Sequence, residues 1–215
     1  MNHPVSWLVF DLGGVLVDVA PAEVTLATLA RRSETSEATL APLLRERFVE
    51  TPYSPAERFQ TGELDEASFH AELNAALARP LAFGELIAEV EAMLLGVKPE
   101  TVDLLARLAA CNRVACYSNT NTTHWRYMAR AFDFFRHFDQ AFASQELGIA
   151  KPDARGFEHI ARVLDTAPAG CLLIDDREIN VRGAREAGWQ ALHFSDAATL
   201  ANDLSALGVD FECAP

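Results

Sequence analysis

The sequence predicts an α/β fold: a mostly parallel sheet with helices on both faces, interrupted after its first strand by a small all-helical insertion. Three observations carry this. Five short apolar runs recur along the chain, and most close on polar loops. Amphipathic stretches with apolar residues three and four positions apart lie between the later runs. From about Pro21 to Leu95 the periodicity is helical throughout, with no convincing strand. Strand–helix alternation puts helices on the faces of a parallel sheet.

Taken in order, Ser6-Trp-Leu-Val-Phe10 ends in Asp11 and a Gly-Gly pair and reads as a buried strand feeding a loop. The helical stretch follows, with Leu26, Leu29 and Ala30, then Leu40, Leu43 and Leu44, then Phe69, Leu73 and Leu77. Turn signals at Pro52, Pro55, Gly62, Pro80 and Gly84 separate these groups. Residues 19–95 are therefore assigned to the insertion, and residues 1–18 with 96–215 to the α/β unit. Pro99 suits a first helical turn, with Val102, Leu105 and Leu108 on one face. Arg113 to Tyr117 is a second strand, running into Ser118-Asn-Thr-Asn121, and Gln140 to Ala143 a weaker third. Phe157, Ile160, Ala161 and Leu164 mark a helix. Gly170 to Ile174 is a strand ending in Asp175-Asp176. The helix from Arg177 carries Val181 and Ala184, with Gly188 placed to cap it before a last strand, Trp189 to His193. Trp125, Phe132, Phe134, Phe135 and Phe138 read as packing.

Composition narrows the function. The 215 residues are 50% hydrophobic and 23% charged, a globular balance. A net charge of −13 repels phosphate backbones, so nucleic acid is not an expected partner. It also repels small anions, so an anion site needs a local positive patch. Cys111, Cys116, Cys171 and Cys213 show no CxxC spacing and no histidine cluster, which favours reduced, structural thiols. The apolar run Trp7–Phe10 is too short for a signal peptide or a membrane span. The expectation is a cytoplasmic protein, monomer or weak homodimer, with a small-molecule partner and no membrane.

In an open parallel sheet, ligands bind beyond the carboxyl ends of the strands. Asp11, Ser118, Asp175 and Asp176 stand there, and Lys151 follows the weaker strand after the loop Gln145 to Ala150. Carboxylates hold a hard cation such as magnesium. A cation and a lysine neutralise phosphoryl oxygens, and a hydroxyl orients them. A carboxylate can also attack phosphorus and form an acyl phosphate. Lys151 is one of two lysines in the chain, the other being Lys98. Each residue also has an ordinary reading: Asp11 and Ser118 as turn residues, one of Asp175 and Asp176 as a helix N-cap, Asn180 as a surface polar group.

Four segments in order resemble the motifs of the haloacid dehalogenase-like hydrolases. They are Phe10-Asp-Leu-Gly-Gly-Val-Leu-Val-Asp18, Tyr117-Ser-Asn-Thr-Asn121, Gly148-Ile-Ala-Lys-Pro152, and Ile174-Asp-Asp-Arg-Glu-Ile-Asn180 with Gly183-Ala184. The resemblance implies a Rossmann-like core, a helical cap in residues 19–95, and a Mg2+ cofactor. It casts Asp11 as nucleophile, and Asp11, the Gly13 carbonyl, Asp175 and Asp176 as metal ligands. Ser118, Asn119 and Lys151 would bind phosphate, with Gly14 and Asn180 in support. Between the two aspartates it favours Asp176 as direct ligand. Cap contacts to substrate are expected near Phe59 to Glu63. The details of all four motifs, with the stretch Thr61 to Phe69, look most like the sugar-phosphate phosphatase branch (α-D-glucose-1-phosphate phosphatase-like).

Gly13 departs from the pattern, because phosphatases of the family mostly carry there an aspartate that moves the proton. Losing such a group typically costs on the order of 10²–10⁴ in rate. Three explanations stand: an easier leaving group such as an anomeric hydroxyl, proton transfer by another group or a water, or weak catalysis. Two other functions stay open. One is a 2-haloacid dehalogenase using Asp11 without metal, which the Asp175–Asp176 pair opposes. The other is a catalytically weak binding or regulatory protein of the same fold.

Overall fold

The computed structural model describes residues 4–48 and 51–211. Strand β1 (Trp7–Phe10) leads to a short β2 (Val17–Val19). Helices α1 (Ala22–Ser33), α2 (Glu37–Leu40), α3 (Pro55–Gln60), α4 (Glu66–Asn74) and α5 (Phe83–Glu91) follow, and β3 (Leu94–Val97) returns the chain. Then come α6 (Pro99–Cys111), β4 (Val114–Ser118), α7 (Thr122–Ala131), β5 (Gln140–Ala143), α8 (Ser144–Leu147) and α9 (Ala154–Val163). The chain finishes with β6 (Cys171–Asp175), α10 (Glu178–Glu186), β7 (Gln190–His193) and α11 (Ala197–Ala206).

The main sheet is five-stranded in the order β5-β4-β1-β6-β7, with every pair parallel. Its strands read as continuous apolar runs because both faces are covered. Alternate residues divide between two cores. Leu8, Phe10, Val114, Cys116, Leu172 and Ile174 pack with α6, α7 and α11 through Leu105, Leu108, Met128 and Leu204. Trp7, Val9, Ala115, Tyr117, Cys171 and Leu173 pack with α9 and α10 through Phe157, Ile160 and Val181. This is the strand period of two made visible. The predicted α/β class and all five strands are present.

The helices between β2 and β3 have a core of their own, built on Leu29, Leu40, Phe59, Phe69, Leu73 and Leu86. The expectation of a segment without strands fails at its edges. β2 and β3 form an antiparallel ribbon pairing Val17 with Val97 and Asp18 with Gly96, with a register break before Val19. The apolar residues in and beside the ribbon, Val15 to Val17 and Met93 to Val97, are too few to stand out as strands beside a helical stretch. The ribbon's strands are three and four residues long, and Val19, Leu95 and Val97 are exposed.

At the end of α10 the Gly188 N–H donates to the Arg185 carbonyl and the Trp189 N–H to the Ala184 carbonyl, with Gly188 at φ +84°, the expected cap. Cys116 and Cys171 are free and buried in strands. Cys111 is disulfide-bonded, which corrects the reading of reduced thiols at that residue. It ends α6 and is only half-buried, so it is not sealed in the sheet as the other two are. Cys213 lies outside the described residues. Among the described residues, no helix is long and apolar enough to cross a membrane.

Candidate active site

β1, β4 and β6 end side by side. The parallel register sets Phe10 beside Cys116 and Ile174, so Asp11, Ser118 and Asp175 emerge at one edge. Lys151 reaches this edge from the loop after α8. Its side chain is wholly buried, and its Nζ donates to the Tyr117 carbonyl at 2.7 Å and to Asp175 Oδ2 at 2.6 Å. The same ammonium lies 3.1 Å from Asp11 Oδ1.

Asp11, Asp175 and Asp176 each offer an oxygen, and these atoms all lie within 4.8 Å of one another. Three carboxylates thus face one ammonium. Burial pushes the Asp11 carboxyl up to about 7, with Asp175 and Asp176 adding to the rise and Lys151 opposing it. Asp176 is also raised, first by burial and then by Asp175. Lys151 is raised on balance: burial works against its charge, and the two aspartates outweigh it.

The neighbouring groups hold this cluster in place. Asp175 Oδ1 accepts from the Arg177 backbone N–H at 2.9 Å and from Asn180 Nδ2 at 3.0 Å. Asn180 is buried, so the surface reading fails for it, and its Oδ1 has no protein partner. Gly14 sits at φ +76°, and a Cβ there would run into Asp176 Oδ2, so the loop after β1 closes onto Asp176 only with glycine. Gly13 needs no such freedom: a Cβ there would meet only the Val19 Cγ2, at 3.3 Å. Gly183 lets α10 pack against the Lys151–Pro152 turn, since its Cβ would stand 2.6 Å from the Pro152 carbonyl oxygen.

Asn119 stands beside Ser118 at the end of β4 and bonds to the lysine loop. Its Nδ2 donates to the Lys151 carbonyl and its Oδ1 accepts from the Lys151 N–H, both at 2.8 Å. The side chain ties the lysine loop to β4 and keeps a second amide hydrogen. Ser118 is buried beside it at the strand end.

A cavity of about 840 Å³ opens from Asp176 and Arg177 into the space between the sheet edge and helices α1 to α5. Of the segment Phe59 to Glu63, Phe59 and Gln60 line it, while Glu63 pairs with Arg58 outside it. Sequence reasoning missed Arg177, Asn121 and His124 as lining residues. Arg177 had a usable signal, since it directly follows the aspartate pair. His124 had none, because its place depends on a bond between its Nε2 and the distant Val90 carbonyl, at 2.7 Å.

Comparison with known proteins fits this geometry. The chain matches the family described as haloacid dehalogenase-like hydrolase over residues 5–188. It is 28% identical to a sesquiterpene phosphatase of Aspergillus oryzae over 211 residues, covering 93% of this chain and 94% of that one. A shorter match, 41% identical over 69 residues, joins 32% of this chain to 28% of a chloroplast flavin mononucleotide hydrolase of Arabidopsis thaliana. A family enzyme of Bacteroides thetaiotaomicron, solved with magnesium and inorganic phosphate, superposes with a TM-score of 0.78 at 22% identity, over 91% of this chain and 98% of that one. The chain belongs to the haloacid dehalogenase-like hydrolases.

Proposed function

We propose that the protein is a magnesium-dependent phosphatase that hydrolyses a small phosphorylated metabolite through an aspartyl-phosphate on Asp11. One observation carries this: three carboxylates converge on a single buried ammonium and leave an excess of negative charge. Such an excess is relieved by a proton or by a further cation, and an all-oxygen set suits a hard divalent one. The magnesium ion would be held by Asp11, Asp175, Asp176 and the Gly13 carbonyl. It would supply positive charge to offset the phosphoryl oxygens.

The chain's own groups divide the remaining work. Asp11 attacks phosphorus, and the bond to the leaving oxygen breaks. Lys151 grips the phosphoryl group and favours the ionised form of Asp11 against the effect of burial. The Ser118 hydroxyl orients a second phosphoryl oxygen. Asn119 and Asn180 position Lys151 and Asp175 through the bonds described above. Water then attacks the aspartyl-phosphate and frees Asp11. Gly13 has no proton to give, so the leaving oxygen takes its proton from water. Residues 19–95 act as a cap over this edge, with the core in 1–18 and 96–215. The named activities of the two curated relatives, both on phosphate esters, support this reading. A monomer or weak homodimer in the cytoplasm belongs to the same reading. The two buried thiols suit that compartment and the Cys111 disulfide opposes it.

The test is phosphate release from a panel of phosphate monoesters, with and without magnesium, for the parent and Asp11→Asn. Release should require magnesium and fall by at least about 10³ in the variant, since the nucleophile is lost. Equal rates in the two proteins would end the mechanism. Halide release from a 2-haloacid in the presence of chelator would replace it with the dehalogenase reading.

A further inference from the structure

We infer that the cavity beside Asp176 takes a hydrocarbon leaving group, so that the substrates are phosphate esters of apolar alcohols and not of sugars. The inference rests on the phosphatase reading for its phosphate end and on the cavity wall for the rest.

Part of the wall is buried and apolar. Leu29, Phe59, Leu86 and Val90 form its buried side, and half-buried Leu26 and Met93 extend it. A volume of about 840 Å³ is far above the water-sized voids that packed interiors leave. It lies within the roughly 300–1,000 Å³ of small-molecule pockets. A packing flaw in the helical layer would be a closed void, whereas this hollow is continuous with the carboxylate site through Asp176 and Arg177.

Of the polar side chains that line it, Glu23 and Arg47 are exposed at its rim and Thr25 is half-buried, while Arg45 and Arg177 are bonded to the Pro52 and Glu46 carbonyls and the inner ones are engaged as well. His124 is bonded to the Val90 carbonyl, and Asn121 Oδ1 accepts from the His124 N–H at the start of α7. Glu89 pairs with Arg32. Gln60 is bonded to the Glu46 carboxylate. A sugar has a hydroxyl on nearly every carbon, and each needs a partner once water is excluded. Sites that select hydroxyls present free, aimed donors and acceptors. Here the wall would strand those hydroxyls against leucine, phenylalanine and methionine. A hydrocarbon loses nothing there and gains from burial.

The experiment measures binding of n-alkylphosphonates from methyl to decyl, and of the phosphonate analogue of a hexose 6-phosphate, by calorimetry with magnesium present. Affinity should rise roughly four-fold per methylene until the cavity is filled, then level off. The hexose analogue should bind no tighter than methylphosphonate. Leu26→Trp and Met93→Trp, at half-buried positions, should each bring the plateau to a shorter chain. A flat profile, a hexose analogue tighter than octylphosphonate, or a plateau unmoved in both folded variants would overturn the inference. Phosphonates do not turn over, so this result is independent of chemistry. Chain-length-dependent binding without any phosphate release from the esters would sink the phosphatase reading and leave the apolar site standing.

Discussion

At the scale of single residues, Asp11 is held between opposing forces. Burial and two neighbouring carboxylates disfavour its charge, and Lys151 favours it, leaving its carboxyl at about 7 against an ordinary 3.8. Because the folded value lies above the unfolded one, the native state binds the extra proton. Stability of the metal-free protein should therefore rise as pH falls from about 7 towards 4, and decline as pH climbs back. Thermal melts from pH 8 to 5 in chelator check this: Tm should increase by several degrees, and magnesium should reverse much of the slope by favouring the ionised form. A Tm that falls steadily over that range would contradict it. Gly13 invites the opposite experiment. Its backbone accepts any residue, and Val19 need shift only a few tenths of an ångström to admit a Cβ. Gly13→Asp should fold normally and speed hydrolysis of alkyl esters over p-nitrophenyl phosphate by about ten-fold or more, if only a proton donor is missing. An unchanged ratio would mean that proton transfer is already supplied.

At the scale of elements, the segment from α2 to α3 shows how one buried charge organises a loop. Ser54 and Glu57 form a capping box at the start of α3. The Glu57 carboxylate accepts from the backbone N–H groups of Ser54, Phe48 and Arg47 at 2.7 to 2.8 Å. Burial alone would raise its pKa, yet these three donors, with Arg45, bring it below the ordinary value. The stability it contributes is thus present above pH 4.5 and lost as pH falls through the lower folded value. Glu57→Gln leaves buried donors short of a charged acceptor and should cost on the order of 3 kcal/mol at pH 7. Chemical denaturation measures that cost, and the difference from the parent should shrink below pH 4. The box itself is legible in the sequence as Ser-Pro-Ala-Glu. The bonds from Arg47 and Phe48 are not, because they come from a loop nine and ten residues away.

Across the whole molecule, polar links join the helical layer to the core, among them the His124–Val90 and Arg177–Glu46 bonds. Thr123 Oγ1 of α7 donates to Glu66 Oε1 of α4 at 2.6 Å, and Arg126 pairs with the same carboxylate. The Ser144 hydroxyl donates to the Gln60 carbonyl at 2.6 Å. The β2–β3 ribbon supplies the two covalent crossings. Removing Glu66 should loosen the layer over the cavity while leaving the carboxylate cluster untouched. Glu66→Ala is expected to raise KM several-fold, with a stability loss of about 1–2 kcal/mol. Steady-state kinetics beside a denaturation curve separate the two effects. A loss confined to kcat would show that Glu66 acts on the chemistry instead.

The five strands, their helices and the polar residues at their ends are written locally, in apolar runs and periodicities that a chain of this length must bury. Asp11, Ser118, Lys151 and Asp175-Asp176 could be picked out for that reason, since each follows a legible strand. Their meeting at one sheet edge is expected too, from the parallel sheet and the resemblance, but the contacts themselves are not. Lys151 stands 140 residues from Asp11 and 24 from Asp175, and the strand order β5-β4-β1-β6 brings the three within reach of one another. The same holds for the two bonds that tie the Asn119 side chain to the lysine loop, 32 residues further along. It holds for the apolar cavity, whose lining residues read along the chain as ordinary helix cores. Local patterning decides what a segment becomes. Which charges share a site, and which apolar faces are left facing a hollow, depends on contacts between segments far apart in the chain, and these exist only once the fold has closed.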